Sequence, residues 1–389
     1  MIPVSYNLRS MLVRKASAIT TALGIALVVL FLSSSLMLQE SINRTMGSSG
    51  SPSTGFVLRK GSDAEIASSI ENKLVGVILS APGVKKNAQG KPIGGGEVVV
   101  VIALEKPGTD GKVSNVAVRG VPDNVREYRP DARIVAGRPA QPGTDEVIIG
   151  SRARGRFVGV ELNSSFELKK NRAVKVVGVF EAGGSAFESE VWADIETVRT
   201  SFGREGLVSS VTVELEASSK FDAFDTGIEN DKQLGLEAMR ENDYYEAQSE
   251  GLNMFIAIFS FAIMAFIMIG AIIGAVITMY AAVSQRRREI GTLLALGFSR
   301  TSILISFLLE AVILTGIGGA LGALASLSMS FASFSMMNMA TWAEVVFTFE
   351  PTVGILVTSL LVAGVMGVVG GFFPALSAAR TSPVTAMRE

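Results

Sequence analysis

Four stretches of this chain are too long and too poor in charge for ordinary soluble secondary structure. They occupy residues 18–38, 252–283, 302–327 and 351–373, the first reading AITTALGIALVVLFLSSSLML from Ala18 to Leu38. A helix needs about 20 mostly apolar residues to cross about 30 Å of hydrocarbon, and each run meets that length. The competing reading is a large helical core in a soluble protein, but such cores rarely contain several charge-poor runs this long. Composition agrees: 48% of the 389 residues are hydrophobic and 18% charged, where soluble domains carry about 25% charged residues.

The first run resembles a secretory signal in its basic lead of Arg9, Arg14 and Lys15. Its length, and the lack of a small-x-small site after it, favour a retained signal-anchor helix. Basic residues recur at Arg286, Arg287, Arg288 and Arg300 between spans two and three, and at Arg380 and Arg388 after span four. The positive-inside rule places all three groups, and both termini, in the cytoplasm. The layout is then a cytoplasmic segment 1–17, an extracytoplasmic domain with stalk at 39–251, a cytoplasmic segment 284–301, an outer loop 328–350 and a cytoplasmic tail 374–389. The outer loop holds Glu344 and Glu350 but no lysine or arginine, which fits that orientation. A multi-pass protein with both termini cytoplasmic is expected.

The 39–251 domain opens with GSSGSPSTG, which by composition predicts a flexible linker. A capped helix is expected after it, with Asp63 as cap and Ile66, Ile70, Leu74 and Val77 on one face. EVVVVIAL (Glu97 to Leu104), DEVIIG and AVKVVGVFE read as strands, so a mixed α+β module is predicted, in two subregions near 56–120 and 130–200. The polar run Glu229 to Gly251 predicts a stalk helix leading into span two.

Chemistry is restricted by what is missing. The chain has no cysteine and no histidine, removing thiolate chemistry, the usual neutral-pH base and the commonest nitrogen ligand of metals. No catalytic, cofactor or metal residue is assigned, and the chain reads as a noncatalytic subunit. A phosphate loop would need GxxxxGK[ST]. The nearest stretch, PGTDGKVS, spaces Gly108, Gly111 and Lys112 wrongly and has Val113 where a hydroxyl belongs, so it reads as a turn. The arginines flank apolar spans without interleaved aromatics, which fits anionic lipids and gives no support for nucleic acid.

Inside the spans, glycines lie four apart at Gly270 and Gly274, Gly318 and Gly322, and Gly367 and Gly371. This spacing lets helix backbones approach closely in lipid, and helix packing is expected of these pairs. Glu310 lies about two turns into span three, where a lone carboxylate is costly. A packing or gating hydrogen bond is favoured over ion transfer, because no basic partner within the span is evident.

The segment RRREIGTLLALGFSR after span two resembles the cytoplasmic coupling segment of ABC transporter permeases of the MacB/FtsX-like superfamily, through Arg288, Glu289, Ile290, Gly291, Ala295, Leu296 and Gly297. PALSAARTSPVTAMR resembles the family's ending, through Pro374, Ala375, Ala379, Arg380, Pro383, Ala386 and Arg388. The stretch Ala132 to Val160 and the following AVKVVGVFEAGGSAFESEVWADIETV look like its periplasmic core. The resemblance implies an α-helical membrane protein with four transmembrane helices and a large mixed α+β extracytoplasmic domain. It also implies a dimer, of two copies or with a related permease, seated on a separate cytoplasmic ABC ATPase that holds ATP and Mg. In such systems nucleotide-driven closing is passed to the outer domains, and a periplasmic adaptor and outer-membrane component are further possible partners.

On that resemblance, Arg286, Arg287 and Arg288 should meet anionic headgroups or acidic ATPase surface. Glu289 should pair with an ATPase base or cap a local helix. Leu293, Leu294, Leu296 and Phe298 form an apolar contact, with Gly291 and Gly297 allowing close approach and reversal. The expected task is ATP-driven export or lipoprotein extraction. The alternatives are a scaffold that activates a cell-wall hydrolase and a receptor without an ATPase.

Overall fold

The computed structural model describes residues 15–230 and 234–382. Arg9, Arg14, Pro383, Ala386 and Arg388 fall outside that range. The chain divides into two compact units, one built from residues up to Glu40 with Met254–Ala332 and Thr348 onward, the other from Ser41–Asn253 with Ser333–Phe347.

The first unit is helical. It contains most of α1 (Lys15–Gly47), the later part of α6 (Glu241–Gln285), α7 (Arg287–Ala295), α8 (Arg300–Leu327) and α9 (Val353–Ala379). Four of these, all but α7, are long and apolar enough to cross a membrane. In hydrocarbon every backbone polar group needs an internal partner, and continuous helices supply it. Ser299 caps α8 by accepting from the Ser302 amide, and Thr352 caps α9 by accepting from Ile355.

Small residues set how closely these helices pack. A Cβ on Gly318 would lie 2.5 Å from the Ala22 carbonyl oxygen, and one on Gly322 would lie 2.3 Å from that of Ala26, so α8 rests directly on the α1 backbone. Gly367 and Gly371 make room on α9 for side chains of α8, where a Cβ would meet Thr315 Oγ1 at 2.2 Å and Ala311 Cβ at 2.5 Å. Gly270 and Gly274 differ from the expectation: a Cβ at either would meet nothing within 4 Å. They lie on the face of α6 that leaves Phe266, Ile269, Ile273 and Ile277 exposed, so within this chain they pack no helix. Polar contacts join the helices as well, Thr21 with Thr278 at 2.8 Å and Ser33 with Ser359 at 2.8 Å.

The second unit is built on one sheet. Its strands are β1 (Thr54–Arg59), β2 (Ile70–Glu71), β3 (Gly94–Glu105), β4 (Val113–Val121), β5 (Arg133–Gly137), β6 (Glu146–Gly150), β7 (Ser165–Lys169), β8 (Arg172–Glu181), β9 (Val191–Asp194), β10 (Leu207–Val208), β11 (Ser210–Glu214) and β12 (Leu236–Arg240). Ten of them form a sheet ordered β12-β1-β11-β3-β4-β9-β6-β8-β5, with β7 beside β8. The two expected subregions are therefore halves of one sheet, joined by the parallel pairing of β4 with β9. Short helices α2 (Asn72–Leu79), α3 (Val125–Tyr128), α4 (Ile195–Phe202) and α5 (Phe221–Glu229) accompany it. Val57, Val98, Val118, Val147, Val176 and Val213 are among its buried core.

Three expectations fail in this unit. The linker is ordered: Ser49 is buried and accepts from the Ala186 amide, and a Cβ on Gly50 would sit 2.5 Å from the Asn242 nitrogen. The helix expected from Asp63 is broken into a 3-10 turn at Glu65–Ala67, the strand β2 and α2, with Asp63 capping neither helical element. Burial of Glu65 and pairing of β2 with β10 divert the backbone. The stalk helix starts at Glu241, because Leu236–Arg240 pairs instead with the edge of β1.

The expected outer loop is also structured, with a 3-10 turn at Ser328–Phe331 followed by the hairpin β13 (Ser333–Met337) and β14 (Glu344–Thr348). The hairpin belongs to the second unit. Buried Glu344 fixes it, accepting from Ser114 Oγ at 2.5 Å and lying 2.8 Å from Lys106 Nζ.

The glycine contacts give a direct contrast. Gly322→Val should lower the thermal unfolding midpoint of the detergent-solubilised chain, by overpacking worth about 1–3 kcal/mol. Gly274→Val, in open space within the single chain, should leave the midpoint of the monomer unchanged.

Candidate functional site

The charged break between the second and third long helices lies at one end of the helical unit. The starts of α1 and α8 and the ends of α6 and α9 meet there. Met279 and Val283 of α6, Ile303 and Phe307 of α8, and Ala375 and Ala378 of α9 form one apolar cluster that also receives Ile290 of α7. Lys15, Arg286–Arg288, Arg300 and Arg380 therefore gather at the same end.

Local rules explain the shape of the segment. Arg286 leaves helical geometry at φ −106° and ψ 13°, ending α6, and α7 begins at the next residue. Gly297 then adopts φ +92°, a left-handed conformation that glycine takes without steric penalty. The Gly297 amide donates to Leu294 O at 3.1 Å and the Phe298 amide to Leu293 O at 3.1 Å, the paired bonds of a Schellman stop. The Ser299 cap restarts the chain as α8, so the reversal assigned to Gly297 is present.

The twelve residues assigned to coupling do not share one surface. Arg287, Arg288, Glu289, Ala295, Leu296 and Gly297 are exposed, Leu296 at 72%. Ile290 and Gly291 are buried, and Leu293, Leu294 and Phe298 are half-buried. Arg286 differs most from the expectation of a headgroup or ATPase contact. It is 8% exposed and turns inward, with Nη1 3.0 Å from Glu310 Oε2 and its guanidinium 5.1 Å from the Phe307 ring centre. Its Nε lies 3.1 Å from Glu289 Oε2, so Glu289 has a partner within the chain.

Glu310, only 2% exposed, therefore has the basic partner that the sequence did not reveal. A buried carboxylate facing a guanidinium avoids the large penalty of an isolated charge. The adjoining cavity, lined by Ser17, Thr278, Met279, Glu310 and Leu314 among others, measures about 20 Å³, room for about one water. The geometry is that of a lock between the end of α6 and α8.

The second unit contains a larger buried charge network that sequence reading missed. Arg119, 1% exposed on β4, donates to three carboxylates: Glu65 through Nη1 at 2.7 Å, Glu97 of β3 through Nη1 at 2.7 Å and Glu190 through Nε at 2.8 Å. Arg129 follows α3 and extends the chain, reaching Glu97 through Nε at 3.0 Å and Glu241, the first residue of α6, through Nη1 at 2.8 Å. The Phe187 ring lies 5.0 Å from Arg119 and 4.3 Å from Arg129, and Trp192 Nε1 donates to Glu190 at 2.9 Å.

Burial alone would raise the Glu97 pKa, but the charges of Arg129 and Arg119, with their hydrogen bonds, hold it down at about 2. Burial acts to lower the Arg119 pKa and is overridden by Glu190, Glu65 and Glu97, which raise it. The available sequence signal was a charge inside an apolar strand, Arg119 in VAVRGV and Glu97 ahead of VVVV. Their alternation with apolar neighbours does not say which charges meet.

Because the folded Glu97 pKa lies below its ordinary 4.5, its contribution to stability is complete above 4.5 and is lost as pH falls toward about 2. Unfolding of the full chain, followed by tryptophan fluorescence, should therefore weaken over that window. Glu97→Gln should be less stable at neutral pH and should lose the part of the slope that Glu97 supplies.

Comparison with known proteins places both units. Residues 16–230 match the model of the MacB-like periplasmic core domain, and residues 261–383 match that of the FtsX-like permease C-terminal. The macrolide export ATP-binding/permease protein MacB of Bordetella avium (strain 197N) is 28% identical over 297 residues, covering 70% of this chain and 44% of the relative. The protein of the same name from Burkholderia thailandensis is 28% identical over 267 residues, covering 63% and 39%. The chain thus spans less than half the length of these relatives. Among solved structures, the periplasmic region of MacB from Actinobacillus actinomycetemcomitans aligns at TM-score 0.38 and 14% identity, covering 53% of this chain and 96% of that one. With the periplasmic-core match alone taking in more than half of its residues, the chain belongs to the MacB/FtsX-like family of ABC transporter permeases.

Proposed function

We infer that this permease passes movement from a cytoplasmic ABC ATPase to its own extracytoplasmic domain, and that the outward-facing part of α7 is where the ATPase engages. The observation that carries this reading is α6 itself. It is one helix of 45 residues from Glu241 to Gln285, about 67 Å long at the α-helical rise. Its first residue is bonded to Arg129 within the second unit, and Arg286, directly after its last, is paired with Glu310 within the first. A helix pinned at both ends by buried ion pairs resists local slippage, because removing one partner strands a charge at about 3–5 kcal/mol.

At the α7 end the exposed set is compact: Arg287, Arg288 and Glu289 supply charge, and Leu296 supplies an apolar knob. This fits a partner surface with acidic groups around an apolar pocket. The buried residues Arg286 and Ile290 hold the segment in place. ATP and Mg are assigned to the ATPase, the termini and α7 to the cytoplasm, and the membrane to the bacterial inner membrane. The open face of α6 is the seat for a second permease copy. The relatives' name, macrolide export ATP-binding/permease protein, favours export as the task.

The test combines capture and coupling. Full-length protein isolated in mild detergent should bring down an ABC ATPase in stoichiometric amount. Leu296→Asp should insert normally yet lose most of that ATPase and the transport that depends on it. Unchanged ATPase recovery and transport in this variant would contradict the assignment of α7, and a stable complex with a cell-wall hydrolase but no transported substrate would favour the scaffold.

A further inference from the structure

The β13–β14 hairpin joins two long apolar helices, and its tip has an unusual surface. From Ser328 to Ala343 the sequence contains no charged residue. Along that run Phe334 is 44% exposed, Met337 42%, Met339 70% and Trp342 55%. Trp342 has φ +58°, a left-handed conformation that is a true outlier for so bulky a side chain. Hydrogen bonds hold it there: its amide donates to Asn338 O at 2.7 Å, and its carbonyl accepts from Asn115 Nδ2 at 2.8 Å. The strain is local and specific, and it leaves the indole outside the packed hairpin.

A second contact fixes the height of the tip along α6. Asn338 Nδ2 donates to Gln248 Oε1 at 2.8 Å. Gln248 precedes Leu252, where the apolar run of α6 begins, by four residues, about 6 Å along the helix. The hairpin is also tethered by chain on both sides, with α8 ending at Leu327 and α9 starting at Val353.

We propose that the tip of this hairpin, with Met339 and Trp342 leading and Phe334 and Met337 behind, is an anchor in the headgroup and acyl boundary of the outer leaflet. The partner is the lipid surface itself. Aromatic side chains with one polar edge concentrate at that boundary, and an uncharged apolar tip loses nothing by leaving water there. Glu344, two residues after Trp342 and buried among Lys106, Arg156 and Ser114, holds the start of β14 to the outer domain beside the exposed tip. One hairpin thereby carries a polar grip on the domain and an apolar grip on the bilayer. This rests on the membrane-spanning fold alone, so it stands or falls separately from ATPase coupling.

The chain has two tryptophans, and Trp192 is 2% exposed in the outer-domain core. Full-length protein and its Trp342→Phe variant, each reconstituted in vesicles of phosphatidylcholine and phosphatidylglycerol, therefore give a difference spectrum that reports Trp342. The expected signal is blue-shifted, mostly lost when the lipids carry bromine near the headgroup end of the acyl chain, and unaffected by iodide. Met339→Trp in the Trp342→Phe background should behave in the same way. A water-like emission quenched by iodide and indifferent to brominated lipid would overturn the proposal. Indifference to both quenchers would also overturn it, by showing that protein covers the tip.

Discussion

The outer domain is organised around a chain of buried charges running from Glu65 and Glu190 through Arg119, Glu97 and Arg129 to Glu241. Burying six charged groups is not an efficient source of stability, since apolar replacements of matched shape are often as stable or more so. Its effect is geometric. Each guanidinium presents a fixed planar fork, so Arg119 can satisfy its three carboxylates only if β3, β4, the Glu65 turn and the segment before β9 keep their register. The final bond extends that requirement to the first residue of α6.

The helical unit follows a different physics. Without a hydrophobic force between helices in lipid, close backbone approach has to come from shape, and Gly318, Gly322, Gly367 and Gly371 provide it. One ion pair, Arg286 with Glu310, interrupts this apolar packing where α6 stops. It holds the start of α7 against α8 and leaves Arg287, Arg288, Glu289 and Leu296 exposed. The assignment of three equivalent surface arginines thus becomes two exposed residues and one internal lock.

Much of this was legible in the sequence. Length and charge exclusion mark the four spanning helices, short runs rich in valine and isoleucine mark β3, β6 and β8, and Gly297 marks the reversal after α7. What escaped depends on pairing between distant residues. The helix expected after Asp63 has sound periodicity, but Glu65 is drawn to Arg119, 54 positions away. The stretch GSSGSPSTG, residues 47–55, is flexible by composition, yet backbone contact with the start of α6 orders Gly50. Gly270 and Gly274 share the spacing of the packed pairs, and spacing does not reveal which helix face meets a neighbour. The outer hairpin looks like a loop in sequence because its stabilising groups, Lys106, Ser114 and Arg156, lie more than 170 residues earlier in the chain.

In the proposed mechanism α6 moves the outer domain through the bond between Glu241 and Arg129. The chain lacks cysteine, so a single cysteine replacing exposed Asp110, in the turn between β3 and β4, allows spin labelling at one chosen site. If the proposed complex of two copies with an ABC ATPase forms, the distance between labels on the two copies should change when nucleotide binds. That change should disappear in the Arg129→Met/Glu241→Leu variant while ATP hydrolysis continues. The same nucleotide-dependent distance change in that variant would show that the Arg129–Glu241 bond does not carry the movement.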